Sequence, residues 1–544
     1  MAQTLRDSIA QSSITLYDTL PKHGKPTVRN NGVNEWTILS TISLVIPSSS
    51  STTHIPSSSS ASSSLDTSRV LPISLGTGVK VLPFSRLPPL GDALHDSHAE
   101  IIARRGFIRW LIYQASLFAP SSSSCANASG EEVFLERRDG KFRLKEGIKV
   151  WMYVSMLPCG DASTLHTAAH QSQDEAAQWD DNVGAMPQAS DSTTDNLASI
   201  PSDDGSPLHV NAVGPTVVRG RNGYTNYSTM RTKPGRPDSI PSISMSCSDK
   251  IASWSVLGLQ GALLEELFEA VWLNGLVIGG VDTPKSWEGS QAEWEVRVRN
   301  EVERALWGRL ESIQDHLPPP YTLHKPAIHF TVVPFPHSKS AIQSSLPPSS
   351  PDPAPSPLSL SYIPSLSSQP KSTHKVKAGK PKPKPEIIAN GTILSFVWKP
   401  PGKELMKEKG RSRISKFEIL RAYEGLSTLL AESLIAGYQG EGNGQGQTSL
   451  TDNCHSTLTY CARKHRPGSR YQLAKTILRG HITPLSSTGT FTSLEQYGQV
   501  WTTDIDVDSE DGPALQLPIP PFRGWLVSGK EYEEFTSSGA LRRG

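Results

Sequence analysis

The stretch DSHAEIIARRGFIRWL, Asp96 to Leu111, reads as a helix that opens on a histidine and a glutamate two residues apart, His98 and Glu100. Advancing about 100° per residue, Ile101, Ile108 and Ile112 fall on one narrow stripe, and Arg105 lies between them. A core-facing stripe that carries a guanidinium needs an anionic partner, because an unpaired buried charge costs several kcal/mol or more. Further on, Lys250, Trp254, Leu257, Gly261 and Leu264 share a stripe at helical spacing, so a second cation points inward. Several inward cations suggest one polyanion between them.

Strands are expected at EWTILSTISLVI (Glu35 to Ile46), VWMYVSML (Val150 to Leu157), AIHFTVVPF (Ala327 to Phe335) and TILSFVW (Thr392 to Trp398). Helices are expected at Ser97 to Leu117, Ser248 to Ala270, Gln291 to Leu310, Lys416 to Leu434 and Tyr471 to Leu478. Strands interleaved with helices argue for an α/β (α+β) domain, a mixed sheet flanked by helices. Three polar stretches, 47–64, 171–207 and 337–385, are too poor in apolar residues to offset chain entropy. They read as insertions in a single domain spanning 1–544, because the blocks between them are short.

The chain has 544 residues, 36% of them hydrophobic, and a formal net charge of +1, so no global basic field advertises a nucleic-acid partner. Five scattered cysteines are no disulfide framework and suit a reducing compartment. The N-terminus lacks a signal-peptide apolar region, and the most apolar run, 256–280, is interrupted by Glu265, Glu266 and Glu269. An intracellular protein of nucleus or cytoplasm, without a membrane span or an obligate protein partner, is expected.

Three short motifs carry the chemistry: His98-Ala99-Glu100, Pro158-Cys159-Gly160-Asp161 and Ser246-Cys247-Ser248-Asp249-Lys250. One histidine and two cysteines suit zinc, with a fourth position left for water. Zinc brings the pKa of such a water to about 7, and a carboxylate that is not a ligand, Glu100, can then shuttle protons. A His-x-Glu pair with separate cysteines is the pattern of zinc deaminases of nucleobases, although position 162 is Ala162 and the second cysteine lies far downstream. A further cluster, Cys454-His455 with Cys461 and His465, matches no closed zinc spacing and reads as accidental proximity beside a Gly/Gln-rich loop.

HAE, PCGDAS and SCSDKIASW together resemble the adenosine deaminases that act on RNA, and within that group the branch specific for tRNA, which converts the adenosine 3′ of the anticodon to inosine. The resemblance implies zinc on His98, Cys159 and Cys247, with Glu100 as proton shuttle. It also implies a buried inositol hexakisphosphate held by Lys80, Arg104, Arg105, Lys250, Trp254, Lys416, Tyr471, Lys475 and Trp501, the part from 391 to 544 completing the pocket. A relay between polyanion and metal would run through Asp96, Lys233 and Lys250. The chain departs from the family at His95, at Ser253 where an arginine is expected, and at Thr503-Asp504 after Trp501.

The block 217–239 carries Arg219, Arg221, Arg231, Lys233 and Arg236 with Tyr224 and Tyr227 interleaved. Basic residues meet phosphates and aromatics stack on unpaired bases, so this is the candidate RNA-facing loop, with tRNA as the partner. The HAE motif arrives at His98, which leaves no room before it for a separate double-stranded-RNA-binding domain and favours the tRNA branch over the editors of duplex RNA.

Overall fold

A computed structural model describes residues 4–47, 68–118, 132–180, 217–224, 226–235, 239–240, 242–367, 384–394, 404–439, 458–480 and 518–542. Its centre is an eight-stranded mixed sheet. The strands are β1 (Leu39–Ile46), β2 (Arg69–Thr77), β3 (Lys149–Val154), β4 (Gly275–Ile278), β5 (Ala327–Phe330), β6 (Leu358–Tyr362), β7 (Glu386–Ala389) and β8 (Thr392–Ile393). They lie in the order β5-β4-β3-β1-β2-β6-β7-β8, with β3, β4 and β5 parallel and the remaining pairs antiparallel.

Alternation along β3 shows how the sheet divides the core. Val150, Met152 and Val154 face one side, where helix α1 (Ala99–Ser116) and helix α2 (Cys247–Leu257) pack. Trp151 and Tyr153 face the other, against Ile9, Ile14 and Tyr17 of an N-terminal helix, Leu5–Asp18, that the sequence reading passes over. Both faces are therefore covered, which is why β1 is buried along nearly its whole length, Ser40, Thr41 and Ser43 included. Helix α1 lies so close on β2 that a Cβ at Gly76 would sit 2.4 Å from the Ala99 carbonyl oxygen. None of the described helices is long and apolar enough to cross a membrane.

The expected elements are found with corrections. The first strand is split: Glu35–Trp36 pairs with Ala354–Pro355, and only Leu39–Ile46 joins the sheet. The strand from Ala327 ends at Phe330, and of Thr392 to Trp398 only Thr392–Ile393 pairs, 395–398 lying outside the described residues. The helix expected over Ser248 to Ala270 stops at Leu257, because Gly258 adopts φ +74° and the Gln260 side chain turns the chain by bonding Leu257 O and Val271 N. Leu257, Gly261 and Leu264 thus do not continue one helical stripe with Lys250 and Trp254.

The largest correction concerns 337–385. Its first part is ordered: Lys339–Ser345 is helical and β6 sits inside the sheet, with Leu360 fully buried between β2 and β7. Serine and proline dominate the composition there, yet Leu358, Leu360 and Tyr362 alternate with serines at period two, which suffices to hold a strand. Residues 48–67, 181–216 and 368–383, covering most of the other polar stretches, lie outside the described residues.

Candidate active site

His98 stands at a strand-to-helix junction: Asp96–His98 pairs with Val79–Val81, and α1 begins at Ala99. Cys159 follows β3 in a turn where Gly160 takes φ +102°. A Cβ at that glycine would lie 2.2 Å from Ser246 Oγ, so the two cysteine loops are pressed together. Cys247 opens α2, which Ser246 caps through its Oγ and the Asp249 amide. Ser248 stitches the loops, donating through Oγ to the Cys159 carbonyl at 2.9 Å and accepting from the Ala162 amide at 3.0 Å.

These junctions bring the three motifs into one buried cluster. The side chains of His98, Cys159 and Cys247 are joined by hydrogen bonds through Cys159. The bond with Cys247, aided by Lys233 and His98, holds the Cys159 thiol well below its ordinary range despite burial. His98 Nδ1 is 2.9 Å from Asp96 Oδ1, which fixes the imidazole and leaves its other ring nitrogen for the contact with Cys159. Glu100 is 1% exposed and its Oε2 has no hydrogen-bond partner. Burial, and next the charge of Cys159, push its carboxyl above the usual range. One imidazole, two sulfurs and a carboxylate oriented behind the imidazole form a donor set that fits zinc, beside an acid not engaged elsewhere through Oε2.

Asp96 ties this cluster to a second feature. Its Oδ2 accepts from Lys233 Nζ at 2.7 Å, Lys250 Nζ at 2.5 Å and Ser244 Oγ at 2.7 Å. Lys233 also donates to Cys247 Sγ at 3.1 Å. Burial would raise the Asp96 carboxyl, but Lys233 and Lys250 hold it well below its ordinary value. All three residues expected in the relay are therefore in direct contact.

Beyond Lys250 lie two adjoining cavities of about 280 and 250 Å³. Eight Lys and Arg side chains line them, against two carboxylates, Asp96 and Glu533. Lys416 and Lys464 bond Glu533 at 3.0 and 2.5 Å. Among the described residues Arg104, Arg105, Lys475 and Arg479 form no ion pair. Arg104 stacks 5.0 Å over Trp254, and the Nε atoms of Arg104 and Arg479 are buried without a partner. Burial lowers both guanidiniums to about 10, and burial with Lys464 and Arg479 takes the Lys475 amine well below its ordinary range. So much uncompensated charge calls for an anion.

Of the residues expected to hold it, Arg104, Arg105, Lys250, Trp254, Lys416 and Lys475 line the cavities. Tyr471 is within electrostatic reach of Arg104 and Arg479, and Lys80 sits on the strand opposite Ser97. Trp501 and Thr503-Asp504 lie outside the described residues. Besides Trp254, the described residues place Trp525 on the cavity wall, with Arg479 stacked over it at 3.8 Å. Arg479 also donates to Ser253 Oγ at 2.6 Å. The guanidinium missing from position 253 is thus supplied by helix Arg470–Arg479. Sequence reading missed Arg479, Lys464 and Trp525; the signal for Arg479 was its spacing four residues beyond Lys475 on one helix face.

The RNA-facing loop needs revision. Arg231 is 1% exposed, and its guanidinium is consumed by the carbonyls of Gly220, Asn222, Gly223 and Asn226 while stacking on Tyr224. It builds the loop and is not presented to a partner. Arg219 donates to the Ser239 carbonyl, Arg221 is half-buried, and Arg236 lies outside the described residues. Tyr227 is exposed and packs against Arg304, which grips fully buried Asp161 with two hydrogen bonds. Arg309 likewise holds Asp249 at 2.7 Å. The aspartates two residues beyond each cysteine therefore anchor this loop and the helix behind it, a role that their matched placement in PCGD and SCSD could have signalled.

Comparison with known proteins agrees with this geometry. Residues 74–483 match the profile of a family described as adenosine-deaminase (editase) domain. The chain is 27% identical over 495 residues to the Mus musculus protein named tRNA-specific adenosine deaminase 1, covering 78% of this chain and 89% of that protein. It is 30% identical over 283 residues to the protein of the same name from Saccharomyces cerevisiae, covering 51% of this chain and 59% of that one. With the double-stranded RNA-specific editase Adar of Drosophila melanogaster it shares 29% over 259 residues, 47% of this chain and 32% of the editase. The match thus spans less than two thirds of the yeast and fly proteins.

Proposed function

The chain belongs to the adenosine-deaminase (editase) family, whose profile covers more than half of it, and we propose on that basis that it deaminates adenosine to inosine in tRNA, next to the anticodon, by a zinc-dependent hydrolysis. His98, Cys159 and Cys247 would hold the metal. Bound there, zinc supplies a water acidic enough to attack C6 of adenosine at neutral pH.

The chain's own part is proton handling and exclusion of solvent. The observation that carries the reading is the buried Glu100 carboxylate, its Oε2 unpartnered, beside the three donors. It takes the proton of the attacking water and returns it toward N1 and the departing ammonia, so that adenosine and water give inosine and ammonia. A positioned acid/base of this kind contributes about 10²–10⁴ in rate. The base must leave its stack to reach the cluster, and an anticodon loop presents bases already partly unpaired. Two of the relatives are named for tRNA, which supports that substrate.

The anion called for by the second feature is, in this reading, inositol hexakisphosphate. Arg104, Lys475 and Arg479 would neutralise it, and Lys250 would connect it through Asp96 to His98 and through Lys233 to Cys247.

The test is inosine formation in a transcribed tRNA with adenosine beside the anticodon, using zinc-loaded wild type and Glu100→Gln. Inosine from wild type and a loss of at least a hundredfold in the variant are expected. No inosine from either, with zinc bound and RNA retained, would favour an RNA-binding protein without turnover. Turnover of duplex RNA or free adenosine in place of tRNA would move the substrate and keep the chemistry.

A further inference from the structure

The cysteine and histidine pair that looked accidental in the sequence acquires a third partner in the fold. Cys461 and His465 lie one turn apart at the short helix Tyr460–Lys464, and Glu533 reaches them from the C-terminal segment. One donor atom from each lies within 4.8 Å of the other two. We propose that Cys461, His465 and Glu533 form a second metal site, suited to zinc and distinct from the cluster at His98.

The backbone around the three donors is already built. The Cys461 amide donates to the Glu533 carbonyl at 2.9 Å, and the neighbouring Tyr460 amide donates to that of Phe535 at 2.8 Å. Tyr460 also stacks on Phe535, with ring centroids 5.2 Å apart. The His465 amide closes the turn on the Cys461 carbonyl at 2.9 Å. The carboxylate is divided between two tasks. Oε1 accepts from Lys416 and Lys464, while Oε2 faces His465 Nε2 at 3.2 Å. A cation between Nε2, Oε2 and Sγ would take the place of the proton shared there and leave both lysine contacts intact. Ligating carboxylates are commonly held in this way by groups behind them.

A mixed nitrogen, sulfur and oxygen set is one that zinc accepts in tetrahedral geometry. Three protein ligands leave a fourth position, which adjoins the cation-lined cavity that these same residues help to wall. A water or an anion oxygen can complete it. The site would clip the segment 518–542 to the helix at 460–464, which in sequence are separated by residues 465–517.

The test is zinc per chain in the full-length protein, measured by elemental analysis after removal of loosely bound metal. Wild type is expected to hold two, and Cys461→Ser, His465→Ala and Cys159→Ser one each. Cobalt-loaded protein should lose part of its thiolate-to-metal absorption on Cys461→Ser and keep the remainder. One zinc in wild type overturns the proposal without recourse to any variant that might misfold. Two zincs retained by Cys461→Ser overturn it as well.

Discussion

Replacing Asp96 by asparagine probes the joint between the two halves of the site. The aspartate is 5% exposed and accepts five hydrogen bonds, two on Oδ1 from the amide and imidazole of His98 and three on Oδ2 from Lys233, Lys250 and Ser244. Asparagine keeps the shape but has one acceptor and one donor end, so its NH₂ must oppose either the His98 amide or two ammonium groups. The charge loss leaves Lys233, 2% exposed, without its carboxylate partner, and removing one partner of a buried pair costs about 3–5 kcal/mol. His98 at the same time loses the carboxylate that orients it, for which metal affinity falls about 10–100-fold. Urea unfolding followed by tryptophan fluorescence measures the first effect, and competition with a chelator the second. The double variant Asp96→Asn/Lys233→Met should recover part of the stability, because the stranded charge is gone. An unchanged unfolding midpoint together with unchanged zinc retention in Asp96→Asn would refute the reasoning.

Other perturbations have equally definite outcomes. Arg479→Met should weaken inositol hexakisphosphate binding in calorimetric titration by about ten- to a hundredfold, the value of one or two charge-assisted hydrogen bonds. Restoring an arginine by Ser253→Arg in that background should recover much of it, since the two positions meet at 2.6 Å. His166 is lowered to about 4, by burial first and His170 second. Its folded-state value lies below the ordinary 6.5, so the stability it contributes is present above that pH and is lost as pH falls toward 4. The loss amounts to about 3 kcal/mol and should shrink in His166→Phe, as followed by unfolding at a series of pH values. Gly160→Ala places a Cβ 2.2 Å from Ser246 Oγ at φ +102°, and should lower stability by about 2 kcal/mol or more and reduce zinc retention.

Much of the site was legible because its chemistry is carried by short motifs. His98 with Glu100, Cys159 and Cys247 each sit where an element begins or ends, and those junctions are marked by proline, glycine and capping serine. The strand at 358–362 was hidden because composition over a long window outweighed an alternation of only five residues. Arg231 was misjudged for a different reason: five N–H donors can serve carbonyls of its own loop as readily as phosphates, and composition cannot tell which. The helix after Cys247 was drawn too long because a glycine at positive φ ends a helix without interrupting the apolar pattern.

By itself the sequence marked the short motifs at His98, Cys159 and Cys247 that the fold brings together, and the interleaving of strands with helices that makes a mixed sheet flanked by helices. It also determined that Arg105 and Lys250 point inward, since helical period fixes which side chains share a face. Tertiary structure decided what those faces meet. The cavity wall draws on α1, on α2, on the helix Arg470–Arg479 and on Trp525 and Glu533 near the C-terminus. Periodicity carries no information across such separations, so the exchange of Ser253 for Arg479 emerged only in three dimensions. The same holds for the place of Trp525 on the cavity wall and for the meeting of Cys461 and His465 with Glu533. Buried charge is the physical link between the two levels: an inward cation is visible in one helix, but its partner is a property of the packed fold.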